Sequence, residues 1–488
     1  MDNILAKIVA QKRLEIKALY EKQDFHALEK AALKADQGSE PEFYQALASS
    51  RKENHPFFIT EFKRKSPSEG WINREADLPK QVLAYAQAGA GAISVLTDSE
   101  FFGGSYADLA LAASTLKQAT FATGKRPLLL QKDFILDPIQ IYLAKTCGAD
   151  LILLIAAILE PEQLEALREI AEAIGLGVLV EVHDQAELDR IQHLNFPVLG
   201  INNRDLKTFR TSLNRVNVVS RAAGDRFIIA ESGVRDYRDF QVVRNADGFL
   251  IGTSLMRNGA DPETTFSRHF AANGRLLFKA CGMRIAQHLQ FIQPDYLGIN
   301  FSPRSRRQPD EATRSESAKQ PDFPSHLVAV FYQNTEAEIR AILHDYPFKS
   351  IQLYAEDVTP AFVRSLSQKV ILAAAVRGPE DLTRLEDFAG DVDFFILDGA
   401  LPGSGQAGQI SIPVDFPYPF LLAGGLHLEN LDRVLAYKNC IGVDIASGLE
   451  TAGQVDAEKI QLVSAGLSRL SLRRPLAAKK IAPHGATS

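Results

Sequence analysis

Residues 151–184 read LILLIAAILEPEQLEALREIAEAIGLGVLVEVHD. The opening apolar run, Leu151–Ala157, has the length of a buried strand. Pro161–Ala173 then reads as a helix, and Val178–Val182 as a second apolar strand. A strand, a helical crossover and a second strand form the unit that builds parallel sheets. One feature breaks the apolar pattern. Glu181 sits inside a run that would otherwise be buried on both faces, where a carboxylate is seldom found without a purpose.

The same rhythm extends in both directions. Strand-like runs occur at Phe57–Phe62, Ala90–Leu96, Pro127–Leu130, Leu151–Ala157, Val178–Val182, Val198–Ile201, Phe227–Ala230 and Phe249–Ile251. A second series follows at Leu276–Ala280, Tyr296–Phe301, Leu327–Phe331, Ile351–Tyr354, Val370–Val376, Val392–Leu397, Phe420–Leu422 and Ile441–Ile445. Two successive sets of eight predict an α/β protein of two tandem (β/α)8 (TIM) barrels. Doubly wound open sheets more often have about five to seven strands. The chain of 488 residues is long enough for two such domains. The expected division is a first barrel over residues 1–262, a linker at 263–274, a second barrel at 275–470 and a disordered tail at 471–488. Asn258, Gly259, Asp261 and Pro262 carry the turn chemistry of the boundary. Residues 4–30 show an approximate helical stripe and are read as an extra N-terminal helix serving packing. The polar segment Ser302–Pro324 is read as a long loop.

Hydrophobic residues make up 46% and charged residues 23%, an ordinary globular balance. The net charge of -6 gives no support for nucleic-acid binding. Cys147, Cys281 and Cys440 have no metal-ligand spacing, and their sparsity suits a reducing compartment. The N-terminus shows no signal-peptide pattern, and no apolar run reaches membrane-spanning length. The expectation is a soluble, cytoplasmic protein without a membrane partner.

Barrel chemistry sits at the C-terminal ends of the strands. The first strand ends with Glu61 and Lys63 on one face, and the third with Lys132. A lysine held away from water or among cations has a lowered pKa and can act as a general acid. The fifth strand contributes Glu181, and the sixth ends with Asn202 and Arg204. Glu231-Ser232-Gly233 and Gly252-Thr253 end the seventh and eighth strands, where small residues let backbone N–H groups approach a phosphate. In the second half, Cys281 ends strand one and Asp398 ends strand six, a pair suited to moving protons. Arg307 lies in a basic loop and could pair with a carboxylate. Gly424-Gly425 and Ser447-Gly448 again follow strands seven and eight.

The motifs Glu61-x-Lys63-Arg64-x-Ser66-Pro67-Ser68, Lys132-Asp133-Phe134, Glu181-Val182-His183, Asn202-x-Arg204-Asp205-Leu206, Glu231-Ser232-Gly233 and Leu250-Ile251-Gly252 resemble those of indole-3-glycerol-phosphate synthase. The resemblance implies ring closure of 1-(2-carboxyphenylamino)-1-deoxyribulose 5-phosphate with loss of CO₂ and water. Lys132 would protonate the carbonyl. Glu61 and Glu181 would stabilise positive charge and handle protons, with their separate roles left open. Lys63, Asn202 and Arg204 would position the anionic substrate beside Ser66 and Phe134. Ser232, Gly233, Gly252 and Thr253 would hold its phosphate.

The second half resembles phosphoribosylanthranilate isomerase. The carrying motifs are Cys281-Gly282, Ser302-Pro303-x-Ser305-x-Arg307, Gln352-Leu353, Leu397-Asp398, Gly403-Ser404-Gly405, Gly424-Gly425-Leu426 with Asn430, and Asp444-x-x-Ser447-Gly448-x-Glu450. The resemblance implies an Amadori rearrangement whose product is the substrate of the first half. Cys281 would be the base at the sugar C2, Asp398 the acid on the ring oxygen and Arg307 the anthranilate anchor. Gly424, Gly425, Ser447 and Gly448 would take the phosphate. Tyr354-Ala355, Ala374-Ala375 and Gly408-Gln409-Ile410 depart from the family's usual residues. They motivate an alternative in which the second barrel is a non-catalytic binding or stabilising module. A third possibility, barrels for other ribose phosphates, would call for paired aspartates that the Glu61/Lys63/Lys132/Glu181 set does not supply. The acid–base chemistry calls for no metal and no cofactor. Small phosphorylated substrates are the expected partners, and the fused chain is expected to be a monomer.

Overall fold

A computed structural model describes residues 4–34, 40–121, 124–205, 210–257, 275–283, 294–303, 305–319, 326–398 and 412–472. The expected boundary and linker lie outside the described residues. So do Leu206, Arg304, the Gly403-Ser404-Gly405 loop, Gly408-Gln409-Ile410 and the tail from residue 473.

The N-terminal stripe forms two helices, α1 (Ile4–Lys22) and α2 (Phe25–Lys34), where one was expected. A third, α3 (Glu42–Lys52), precedes β1 (Phe57–Phe62). A short antiparallel hairpin, β2 (Lys65–Ser66) and β3 (Gly70–Trp71), comes next. Then follow β4 (Ala92–Leu96), β5 (Leu128–Lys132), β6 (Leu151–Ile155), β7 (Gly177–Val182), β8 (Val198–Asn202), β9 (Phe227–Glu231) and β10 (Gly248–Ile251). β1 and β4–β10 close into an eight-stranded barrel with β10 against β1. The second barrel is formed by β11 (Leu277–Cys281), β12 (Tyr296–Asn300), β13 (His326–Val330), β14 (Ser350–Tyr354), β15 (Lys369–Ala375), β16 (Phe394–Asp398), β17 (Phe420–Ala423) and β18 (Cys440–Ile445). It closes through β11 against β18. Every barrel pairing is parallel, and both sheets close on themselves, which excludes the open, doubly wound rival. The polar segment read as loop contains a helix at Glu311–Lys319.

Alternation along each strand explains where chemistry appears. In the first barrel Phe57 and Ile59, Leu128 and Leu130, Leu151 and Leu153, and Phe227 and Ile229 belong to one interior cluster. Stepping two residues further along those columns reaches Glu61, Lys132, Ile155 and Glu231 at the upper rim. The lower end is closed by α3, whose fully buried Phe43 and Leu47 join the same cluster. In the second barrel the columns Leu277–Lys279–Cys281 and Phe394–Ile396–Asp398 rise in the same way.

Candidate active sites

Every first-half candidate lines a single cavity of about 340 Å³ at the upper end of the first barrel. Glu61, Lys63, Lys132 and Glu181 form its centre, with Ser66, Phe134, Asn202 and Arg204 around them. Ser232, Gly233, Gly252 and Thr253 form the remaining wall.

Lys132 is the hub. Its Nζ lies 2.6 Å from Glu231 Oε2, 3.7 Å from Glu181 Oε2 and 3.9 Å from Glu61 Oε2. Lys63 donates to Glu61 Oε1. The expectation of a lowered lysine pKa is overturned. Burial pulls the Lys132 ammonium down, but Glu231, Glu181 and Glu61 together raise it above its ordinary value. The lysine is therefore held as a charged ammonium, a group able to donate a proton.

Glu231 is a third carboxylate of the site, and its place at the end of the seventh strand does not by itself assign it a role. It is 1% exposed, and its second oxygen, Oε1, is buried without a partner among the described residues. Burial pushes Glu231 up, and its neighbour Glu181 adds to the rise. Glu181 moves the other way. Against its own burial, His183 and Lys132 hold it below the usual carboxylate range. His183 Nε2 lies 3.1 Å from Glu181 and its Nδ1 3.1 Å from Glu187. Those two carboxylates overcome burial and push the imidazole up to about 10. The cavity thus pushes two neighbouring carboxyl groups in opposite directions, Glu231 up and Glu181 down, so that residues of one type are separated by their environment.

The walls divide by chemistry. Arg204 Nη1 donates to Ser68 Oγ at 2.6 Å, while its Nε is buried without a partner among the described residues. Asn202 Oδ1 accepts from the Arg204 N–H at 3.0 Å and so shapes that turn. Ser66 Oγ accepts from the Glu69 N–H at 3.2 Å within the hairpin loop. Ser232 and Gly233 both have positive φ, 63° and 85°. Gly252 has a second duty, because a Cβ there would overlap Glu61 Oε1. Ser254, beside Thr253, carries a buried hydroxyl without a partner among the described residues. It is a missed contributor to this wall.

α1 is also more than packing. Ile4, Leu5 and Ile8 line the cavity, as do Phe102 and Phe134. Buried Lys12 fastens the helix, with Nζ 2.8 Å from Asp133 and 3.1 Å from Asp98. Asp133 directly follows Lys132, so one anchor holds both the apolar wall and the hub strand.

In the second barrel Cys281 and Asp398 end β11 and β16. Tyr354, at the end of β14, lies among them. Burial raises its phenol well above the ordinary value, and Cys281, Asp444 and Asp398 all add to the rise. Arg307 is bound to Glu450, with Nε 2.6 Å from Oε1 and Nη2 3.3 Å from Oε2. It crosses Gly282 beside Cys281, where a Cβ would collide with its side chain. Gly424 and Gly425 have positive φ, 88° and 63°, and Asn430 Nδ2 donates to the Gly425 carbonyl at 3.0 Å. Gly448 packs against the Leu426 carbonyl so closely that no side chain fits. The Gly424-Gly425 and Ser447-Gly448 turns are thereby brought together at one side of the mouth.

Comparison with known proteins follows the same division. The family model for indole-3-glycerol phosphate synthase matches residues 5–266. That for N-(5'-phosphoribosyl)anthranilate isomerase matches residues 278–465. "Tryptophan biosynthesis protein TrpCF" of Haemophilus influenzae is 32% identical over 449 residues, covering 88% of this chain and 90% of that protein. Its namesake in Vibrio parahaemolyticus is 32% identical over 479 residues, covering 94% and 93%. An indole-3-glycerol phosphate synthase of Polynucleobacter necessarius is 39% identical over 281 residues, covering 56% of this chain and all, 100%, of that protein.

Proposed function

The chain belongs to the bifunctional tryptophan-biosynthesis enzymes that join an indole-3-glycerol-phosphate synthase to a phosphoribosylanthranilate isomerase, and on that premise we propose how its residues divide the two reactions. The C-terminal barrel isomerises N-(5-phosphoribosyl)anthranilate to 1-(2-carboxyphenylamino)-1-deoxyribulose 5-phosphate. The N-terminal barrel closes that product to indole-3-glycerol phosphate with loss of CO₂ and water. The non-catalytic alternative for the second barrel is not favoured, since relatives named for the pathway align across both halves.

In the synthase, Lys132 protonates the ketone oxygen as the aromatic carbon bearing the carboxylate attacks. Glu61 and ionised Glu181 stabilise the positive charge that develops on the ring system, and one of them takes the proton that the CH₂ beside the nitrogen loses in the later dehydration. CO₂ leaves, and Glu231, which burial draws toward its neutral form, carries the proton with which the new hydroxyl departs as water. Lys63 and Arg204 bind the anionic groups. Asn202 fixes Arg204, and Ser66 shapes the loop above them. Phe134 and the α1 wall receive the aromatic ring. Ser232, Gly233, Gly252 and Thr253, with Ser254, hold the phosphate. The observation that carries this reading is the meeting of Glu61, Glu181 and Glu231 within 4 Å of one lysine, inside a cavity lined by all the others.

In the isomerase, Asp398 protonates the ring oxygen so that the sugar opens. Cys281 then removes the proton from C2, and Arg307 anchors the anthranilate carboxylate. Gly424, Gly425, Ser447 and Gly448 receive the phosphate. The working form is a cytoplasmic monomer acting on small phosphorylated substrates without metal, organic cofactor, nucleic acid or membrane. The charge of -6 supports the exclusion of nucleic acid, and among the described residues no helix is long and apolar enough to cross a membrane.

Complementation tests the division. The whole chain should rescue two auxotrophs, one lacking each step. Lys132→Ala should rescue only the isomerase-deficient strain, and Asp398→Asn only the synthase-deficient one. Loss of both activities from either substitution in a folded chain would overturn independent sites.

A further inference from the structure

Below Cys281 lies a lysine that neither reaction above uses. Lys279 precedes the cysteine by two residues on β11, so both side chains point into the barrel. Lys279 is fully buried, at 0% exposure. Lysine is almost never found so deep without a partner. Its Nζ lies 2.9 Å from Asp444 Oδ1 on β18, and the two residues are paired in register. The equivalent level of the β1 column in the first barrel is Ile59, so an ion pair here is not required to fill a barrel.

The pair is not closed on itself, because Lys279 and Cys281 also lie close enough for each to act on the charge of the other. The register partner of Cys281 on β12 is Gly298. A Cβ at Gly298 would lie 2.9 Å from Cys281 Sγ and 3.2 Å from Lys279 Nζ. The missing side chain is the space in which sulfur and ammonium meet.

We propose that Lys279, held by Asp444 in the slot left by Gly298, is a positioning residue that supplies the counter-charge for the Cys281 thiolate in the isomerase reaction. The proposal rests on the reading of Cys281 as the base. Burial pushes the thiol up, Lys279 and Arg307 pull it down, and Asp444 opposes them. Arg307, reaching in from the segment after β12, is already matched by the bidentate Glu450. Among the described residues Tyr354 on β14 also acts on the sulfur and has Asp398 of β16 beside it in turn, and neither brings positive charge. Of the two cations that act on it among the described residues, Lys279 is thus the fully buried one, in surroundings where a charge is weakly screened. In the proton transfer the C2–H bond breaks and an S–H bond forms. The C–H electron pair moves into the C1–C2 bond as the iminium becomes an enamine. Lys279 exchanges no proton.

The test uses the full chain. The rate of Cys281 alkylation by iodoacetamide is followed against pH by peptide mass spectrometry, beside the pH profile of isomerase kcat/KM. Synthase activity of the same samples reports folding of the first barrel, and near-UV circular dichroism reports the second. Lys279→Met should move the alkylation midpoint and the acid limb of kcat/KM upward by at least one pH unit. Asp444→Asn should move both downward, because the thiolate becomes the nearest anion to Lys279. Gly298→Ala should move them upward by less. A purely structural lysine would lower activity without moving either midpoint, and that result overturns the proposal. If Lys279→Met does not fold, unchanged midpoints in both other variants overturn it equally. Cys281→Ser separates the two readings. Isomerase activity surviving that change would remove Cys281 as base, while the alkylation midpoints would still report whether Lys279 sets the thiolate.

Discussion

The two barrels close their lower ends by different means. The first uses its own α3, which inserts Phe43 and Leu47 beneath the interior cluster. The second is closed by the first barrel. Leu277, Tyr296, Val328, Ile371 and Phe394, at or near the lower ends of their strands, belong to the same apolar cluster as the first barrel's helices. Polar groups lock the seam. Leu213 N–H donates to Asp393 Oδ1 at 3.0 Å, Ser212 Oγ to the Val392 carbonyl at 2.8 Å and Asn214 Nδ2 to the Ala389 carbonyl at 2.9 Å. Lys369 Nζ lies 2.6 Å from Asp239, and His326 Nε2 lies 3.1 Å from Asp236. The first barrel is therefore a complete unit, whereas the second depends on a surface supplied by its neighbour. The mouth of the second barrel, at the opposite end from this seam, faces away from the first barrel, so its product leaves on the far side.

The sharpest way to break this comparison is to divide the chain. Residues 1–257 should keep synthase activity and a cooperative thermal transition. Residues 275–488 should lose their transition or melt far below the whole chain, measured by circular dichroism. A C-terminal half that melts with the intact protein would show that the seam is not needed.

Lys132→Ala removes the hub of the first site and should lower synthase kcat by about 10²–10⁴, the usual worth of a positioned general acid. Isomerase kcat, measured on the same sample, should stay within experimental error. A parallel fall in both would mean the barrels are coupled through more than their seam.

Asp239→Ala takes the nearest carboxylate from the partly buried Lys369 and leaves Asp393 beside it. It should cost about 3 kcal/mol in urea unfolding, the lower end of the penalty for breaking a buried pair. The effect should fall on the transition of the second barrel, although the residue belongs to the first. Phe43→Ala should cost a similar ~3–5 kcal/mol by opening a cavity, confined to the first barrel.

The smallest effect concerns charge. His183 titrates near 10 in the folded protein, above its ordinary value. Its stabilisation is complete below about pH 6.5 and is lost as pH rises through about 10. His183→Gln should therefore destabilise the first barrel by about 1.5–3 kcal/mol at pH 6. The difference from wild type should shrink at pH 10.5. An equal loss at both values would mean that the imidazolium does not hold Glu181.

Both sets of eight strands were legible because short apolar runs alternated with helical stretches. Glu181 stood out for the same reason, as one carboxylate in a run without another polar residue. Cys281 and Asp398 were weaker signals, since a lone cysteine and a strand-end aspartate are both commonplace. The resemblance carried them. α3 was missed, and α1 was read as packing. Their apolar faces show that they dock, but not what they dock on. The seam was invisible. Ser212, Asn214, Asp239 and Lys369 look like solvated surface until the second barrel lies against them.

By itself the order of residues determined the barrel count, the strand ends and the identity of the chemical groups, because burial periodicity and residue type are local properties. Only the folded arrangement decided the state of those groups. Lys132 is raised rather than lowered, Glu231 and Glu181 diverge, and Lys279 faces a sulfur. Each outcome is an electrostatic sum over neighbours delivered by different strands, and such a sum does not exist until closure of the barrel brings the charges within a few ångströms of one another.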